Sequence, residues 1–296
     1  MPDTKNRSNI LINPSHIPAA DRALQYGDAC FTSMYAQDGK ILLLPEHIQR
    51  LQYACDILAI AFEDWLLLQN EIAKCEKEVQ APTVIKVMIT RGIGGRGYMP
   101  PPKQHPQCII STHATEAILP PKTLFTLGFS DVTLFDDGLK GVKHANRLTQ
   151  VRASDQNARA GVLYNELLLC DVNDHVIECS SANIFYRLGG VWYTPPMREL
   201  GVKGIMRDAL MRFMKEQYIP VFEATHHKSQ FQYVDAMLLS NAVKGVRLVK
   251  SLQKAVKQPL RGDEQKRFID LSESLETLSN DIVHPFYDKI LGDNFA

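Results

Sequence analysis

Along residues 46–60, Ile48, Leu51, Cys55 and Leu58 recur at helical spacing with polar residues between them, a pattern that predicts an amphipathic helix; residues 63–79 read as a second. Residues 83–90 and 107–112 are dense in branched side chains and predict strands. Between them, Pro100, Pro101, Pro102 and Pro106 forbid either ladder, so residues 99–106 must form a loop, a candidate rim or lid.

The pattern lapses at Leu119-Pro120-Pro121-Lys122, and a strand-like run resumes at Leu124. This places an N-terminal domain at 1–118, a stiff linker at 119–123 and a C-terminal domain at 124–296. In the second half, a helix is expected from about residue 145 to 160. Short strands follow at 166–171, 175–179, 183–187 and 191–194, read as an antiparallel meander that feeds a helix at 205–217. The last forty residues look like a C-terminal helix plus a tail, and no internal repeat is visible.

The 296 residues are 45% hydrophobic and 22% charged, enough apolar material for a substantial core. Lys plus Arg number 33 and Asp plus Glu also 33, so no net field draws in nucleic acid or an anionic membrane, and any anion site is local. The first residues lack the apolar stretch of a secretory signal, and no run of about 18 apolar residues follows, so a cytoplasmic enzyme acting on a small molecule is expected. Six scattered cysteines show neither a C-x-x-C pair nor metal spacing, and read as buried thiols rather than zinc ligands or disulfides.

Four segments could carry chemistry. Gly92-Ile93-Gly94-Gly95-Arg96-Gly97 has the literal dinucleotide-binding pattern, but the prolines that follow forbid the helix such a site requires. The segment instead mounts Arg91 and Arg96 on a glycine turn, suited to gripping a carboxylate or lying solvated on a hairpin. Lys140 and Lys143 precede a predicted helix; either could be a surface charge, and Val142 gives Lys143 the more apolar setting that a catalytic lysine needs. Gly204-Ile205-Met206-Arg207 enters a helix whose first amides suit a phosphate, although an ordinary glycine before a helix looks the same. Glu178, in an otherwise apolar strand, either faces solvent or is buried beside a cation.

In this order the pieces resemble the fold-type IV pyridoxal-phosphate enzymes, which include branched-chain and D-amino-acid aminotransferases and aminodeoxychorismate lyase. The likeness runs from about Asn13 to Val249 and rests on Asp21-Arg22 to Gly27-Asp28, Glu46-His47 to Arg50-Leu51, Lys143-His144 to Arg147-Leu148, Glu178-Cys179 to Ile184-Phe185, and Gly204 to Arg207. It implies a mixed α/β, two-domain protein: a smaller N-terminal α/β domain and a larger C-terminal domain with a barrel-like sheet that anchors pyridoxal 5'-phosphate. It also implies a homodimer.

Carried over residue by residue, the resemblance makes Lys143 the Schiff-base lysine and general base, pairs Glu178 with the ring nitrogen and brings Tyr164 toward the ring hydroxyl. Arg50, Gly204 with the amides of Ile205 and Met206, and the Asn241-Ala242 turn would grip the phosphate. Tyr26, Arg91 and Arg96 would bind substrate. Within the family, Arg91 to Tyr98 and Ser240 to Gly245 are similar to lyase segments, as is Cys30-Phe31-Thr32-Ser33, where the aminotransferases typically carry Phe-Glu-Gly. The implied reaction releases pyruvate and 4-aminobenzoate for folate synthesis, with Ser33 or Thr32 as the group that protonates the leaving oxygen. Ala29 departs from the glycine usual in the lyases, and Ser33 from the threonine of some.

Overall fold

The computed structural model describes residues 9–118, 123–139, 141–161, 163–198, 200–253 and 268–295. The chain divides into two units: Met1–Ala117 with Val142–Asn146, and Ile118–Gly141 with Arg147–Ala296. Residues 119–122 of the expected linker lie outside the described residues, as do residues 254–267, which include the start of the expected tail beyond about Gln258.

In the first unit, β1 (Ile10–Ile12), α1 (Arg22–Tyr26), β2 (Ala29–Gln37), β3 (Lys40–Ile41), α2 (Leu44–Leu58), α3 (Trp65–Lys77), β4 (Thr83–Thr90) and β5 (Gln107–Ala114) follow in order. Five strands form one sheet in the order β1-β5-β4-β2-β3, with β1 parallel to β5 and the remaining pairs antiparallel. The two-residue alternation sorts the faces. Cys30, Thr32 and Met34 stand opposite Ile89, Val87 and Ile85, and all six are fully buried beneath α2. The other face carries Phe31 opposite Met88, and Ser33 opposite Lys86, which in turn is opposite Ser111. α2 begins two residues before its expected start because Pro45 fits the first turn, where no amide partner is needed.

At its N-terminal end β2 has a second edge, which residues 143–145 occupy. Phe31 N–H donates to the Lys143 carbonyl at 3.0 Å, Ala145 N–H to the Ala29 carbonyl at 2.7 Å, and Cys30 bridges His144. This extended pairing is why the helix expected from about 145 starts only at Leu148, and it puts Lys143 with the first unit.

The second unit contains β6 (Phe125–Thr133), α4 (Leu148–Arg159), β7 (Glu166–Cys170), β8 (Val176–Cys179), β9 (Asn183–Leu188), β10 (Val191–Thr194), α5 (Ile205–Glu216), β11 (Val221–Glu223), β12 (Val234–Asn241), β13 (Gly245–Gln253), β14 (Phe268–Asp270), α6 (Leu275–Leu278) and α7 (His284–Phe295). Eight strands run β11-β10-β9-β12-β13-β6-β7-β8, with β14 on β13. The expected meander is corrected here: β7 pairs β8 and β9 pairs β10, but β9 turns away from β8 to pair β12.

That correction dictates curvature. β8 and β9 lie five strand spacings apart along the path, about 24 Å in a flat sheet. Yet only residues 180–182 join them, a reach of at most about 14 Å. The sheet must therefore curl until its far edge approaches its middle, which is the barrel-like form the resemblance implies. One face of the curl packs Leu127, Leu168, Val176, Ile184, Met237 and Val249, drawn from six strands, into a single cluster. The other face buries Leu169, Ile177 and Met197 against Ala153 of α4.

All six cysteines are free and buried. Burial pushes the Cys170 thiol up to about 12 and holds Cys179 well above the usual thiol range, so neither supplies a thiolate nucleophile at neutral pH. No helix among the described residues is long and apolar enough to cross a membrane.

Candidate active site

In the first unit, the half-buried Lys143 extends its ammonium over the Phe31 ring, 4.8 Å from the centroid, and Lys86 approaches the same ring at 4.9 Å. Since Phe31, Ser33 and Lys86 share the sheet face away from α2, two cations and a hydroxyl stand on the surface that Lys143 occupies.

Thr32 points the opposite way. Its buried hydroxyl meets His47 Nδ1 at 2.5 Å and accepts from Nη2 of Arg50. Burial, reinforced by the Arg50 charge, holds His47 far below the usual imidazole range, so the ring is neutral. A hydroxyl that accepts from Arg50 has one proton left to donate, and a neutral His47 Nδ1 can accept it. Arg50, Thr32 and His47 therefore form a directed chain, and Ser33, not Thr32, shares the face of Lys143.

Arg91 has a different environment from the one a substrate-gripping residue needs. Its guanidinium, 6% exposed with its residue, binds Asp28 through Nε at 2.8 Å and Nη2 at 3.0 Å, and donates to the Ala59 and Leu58 carbonyls at 2.6 and 2.7 Å. It braces the end of α2. Arg96 is exposed on its turn, and Tyr26 is partly exposed at the end of α1.

In the second unit, the ladder between β7 and β8 slips: Cys170 faces Val176, Leu169 faces Glu178, and Ile177 is the extra residue of a bulge. The bulge aims Glu178 to the Leu169 side, toward Met197 and the chain that follows it. Glu178 is 4% exposed, and its Oε2 accepts the Val202 N–H at 2.8 Å. Asn183 Nδ2 donates to the carbonyl of the same Val202 at 2.8 Å. Two residues later Gly204 opens the twelve-residue helix α5 with no side-chain cap, leaving the Ile205 and Met206 amides at a positive helix end. Glycine is required there, because an added Cβ would lie 1.9 Å from Asn183 Oδ1.

Asn183 also stands opposite Ser240 on β12, whose hydroxyl is buried without a partner among the described residues. An uncapped helix end, an orphaned hydroxyl and a buried carboxylate, all gathered around Asn183 and Val202, fit a phosphate and a protonated ring nitrogen in one ligand. Arg207, 1% exposed, fixes α5 through Pro195 O at 2.8 Å, Glu223 Oε1 at 2.7 Å and Thr194 Oγ1 at 3.2 Å.

Asn241 folds the turn that carries Ala242, its Oδ1 accepting the Val243 and Lys244 amides at 2.7 and 3.1 Å while Nδ2 donates to the Ser181 carbonyl. Buried Glu166 ties this turn down by accepting from Ser180 and Ser181 and pairing with Lys244. The Tyr164 ring lies against Gly128 of β6 and 6.2 Å from Phe268. Half-buried Arg147 is pulled below the usual arginine range by burial, against the pull of the Glu178 and Asp137 carboxylates.

Sequence reasoning did not single out Lys86, His47, Asn183, Glu166 or Arg22. Lys86 is the one polar residue in the apolar run Val84 to Ile89, a signal that the strand face opposite Ile85 and Val87 admits a charge. Glu166 likewise heads an apolar run. For Asn183 the sequence offers no local signal, because its task depends on chain that returns twenty residues later.

A family model described as amino-transferase class IV matches residues 29–252. An aminodeoxychorismate lyase from Vibrio harveyi is 30% identical over 236 residues, 78% of this chain and 86% of the relative. A putative branched-chain-amino-acid aminotransferase from Methanocaldococcus jannaschii is 33% identical over 214 residues, 69% and 71% of the two chains. Among solved structures, a 4-amino-4-deoxychorismate lyase from Pseudomonas aeruginosa superposes with a TM-score of 0.75 at 28% identity, over 91% of this chain and 96% of that one. The chain belongs to the class IV aminotransferase family.

Proposed function

We propose that this protein is a pyridoxal 5'-phosphate-dependent lyase that converts 4-amino-4-deoxychorismate to 4-aminobenzoate and pyruvate, a step toward folates. The observation that carries the proposal is the 202–206 segment, which joins a buried carboxylate to an uncapped helix end. The similarity to two lyases over most of their length supports the choice of reaction.

When bound, the cofactor supplies an electron sink conjugated to the substrate amine. Lys143 would hold it; Glu178 would keep its ring nitrogen protonated; Arg50, the Ile205 and Met206 amides, Ser240 and Ala242 would hold its phosphate. Tyr164 would approach its ring hydroxyl.

The chain's own groups then move protons. Lys143 Nζ takes the proton from substrate C4 as general base. The bond from the neighbouring carbon to the enolpyruvyl oxygen breaks and the ring becomes aromatic. The Ser33 hydroxyl donates its proton to the departing enolate oxygen and is reprotonated by the proton that Lys143 took; the enol then tautomerises to pyruvate, losing its O–H proton as its methylene carbon gains one. Ser33 is chosen over Thr32 because the Thr32 hydroxyl is committed to His47 and Arg50. Lys86 and Arg96 are the cations available for the two substrate carboxylates, with Arg91 acting as a brace.

The test is pyruvate release from aminodeoxychorismate, coupled to a pyruvate reductase, beside keto-acid-dependent amino transfer from branched-chain and D-amino acids. Pyruvate without a keto-acid requirement is expected; amino transfer alone would replace the lyase with an aminotransferase. The family likeness further implies a homodimer, to be checked by sedimentation equilibrium.

A further inference from the structure

Arg22 is 3% exposed and reaches the backbone of the 94–99 turn. Nε donates to Asp28 Oδ2 at 2.8 Å. Nη1 lies 3.3, 3.2 and 3.4 Å from the carbonyls of Gly94, Gly97 and Met99, and Nη2 donates to the Tyr98 carbonyl at 3.0 Å. The guanidinium also stacks 4.9 Å from the centre of the Tyr26 ring, which meets Tyr98 edge-on at 5.5 Å.

One cation thus gathers four carbonyls of a single turn, and with the carbonyls drawn inward the side chains of Arg96 and Tyr98 stand outward, Tyr98 87% exposed. The turn depends on glycine: Gly94, Gly95 and Gly97 have φ of 129°, 82° and 58°, and a Cβ on Gly95 would lie 2.3 Å from the Met99 carbonyl. The same α1 segment is braced against the lysine-bearing strand, since a Cβ on Gly27 would lie 3.2 Å from Asn146 Cβ and the Ala29 carbonyl accepts from Ala145.

We propose that Arg22 is a positioning residue for substrate recognition: without touching substrate, it fixes the 94–99 turn so that Arg96 and Tyr98, with Tyr26, are presented to a substrate carboxylate. This rests on the carboxylate-bearing substrate proposed above. A planar fork of five donors suits four carbonyls and a carboxylate, whereas a lysine ammonium has three donors and cannot span them.

The test compares wild type with Arg22→Lys, which keeps the charge beside Asp28. Substrate is aminodeoxychorismate or, if the wild type releases no pyruvate, whichever amino donor it uses; that failure would overturn the lyase reading and leave this test intact. KM is expected to rise about tenfold or more with kcat within about threefold, because placement of a binding group is lost but the proton-transfer groups are not. Trypsin cleavage between Arg96 and Gly97 is expected to accelerate about tenfold, since the turn opens locally. The Arg22→Lys, Arg96→Gln pair should raise KM by clearly less than the product of the two single effects, the signature of one residue acting in part through the other. If Arg22→Lys does not fold, Gly95→Ala distorts the same turn and carries the same expectations. An unchanged KM, whatever the trypsin rate, would reduce Arg22 to a brace of the fold and overturn the proposal.

Discussion

Val202 donates its backbone N–H to Glu178 Oε2 at 2.8 Å, two residues before the uncapped end of α5 at Gly204. One short piece of chain therefore fixes the carboxylate and the helix end relative to each other, which is what recognition of a charged ring and its phosphate together demands. Glu178→Gln keeps an acceptor for Val202 but removes the negative charge that would hold a ring nitrogen protonated. Its kcat for pyruvate release should fall by about 10²-fold or more while phosphate-dependent cofactor binding persists. Single-turnover kinetics with a parallel cofactor titration would check this; loss of binding with normal turnover of the bound fraction would count against it.

The Thr32–His47 contact makes a pH prediction. Burial and Arg50 hold the folded His47 pKa well below 6.5, so the unfolded chain binds the extra proton first as pH falls. For a group with a depressed folded pKa, the stability it contributes is complete above pH 6.5 and is lost as pH drops from there toward the folded value. The slope from this one group reaches about 1.4 kcal/mol per pH unit. Urea unfolding at pH 7.5, 6.5 and 5.5 should show that loss in wild type, and His47→Asn, whose Oδ1 can still accept from Thr32, should flatten the slope. An equal slope in both proteins would show that His47 does not titrate this way.

Why the strands and helices of the middle of the chain were legible, and the site only partly, comes down to range. The strand at 83–90 is written in consecutive residues, and the helix at Ile205–Glu216 in a local apolar stripe. The 143–145 segment is not: its extended form depends on the open edge of β2, more than a hundred residues earlier. Likewise Glu178 could be read as buried or solvated until the bulge at Ile177 set its direction. Arg91 looked like a carboxylate binder because its actual partners, Asp28 and the end of α2, are distant in sequence.

Lys143 and Lys140 could not be separated by local sequence, and Lys140 lies outside the described residues. Lys143 is tied to β2 by its own carbonyl and by the Ala145 amide two residues on, and its ammonium reaches the Phe31 ring. Borohydride reduction of the cofactor-loaded protein followed by peptide mapping should label Lys143, and Lys143→Ala should lower turnover by at least about 10³-fold. A label on Lys140, or near-normal turnover of the alanine variant, would move the assignment.

Gly204 offers a test of the phosphate cradle that does not depend on turnover. Its missing side chain leaves room for Asn183 Oδ1, which would lie 1.9 Å from an added Cβ. Asn183 cannot move freely, because its Nδ2 holds the Val202 carbonyl and its backbone is paired to β12 beside Ser240. Gly204→Ala must therefore shift the start of α5 away from Asn183, displacing the Ile205 and Met206 amides from any bound phosphate. Two charge-assisted hydrogen bonds contribute roughly 1.5–3 kcal/mol each, so weakening them should cost pyridoxal 5'-phosphate at least about tenfold in affinity. Pyridoxal, which lacks the phosphate, should bind the variant and wild type alike. A matched loss for both compounds would show instead that the substitution damages the pocket generally, and that the end of α5 is not where the phosphate is held.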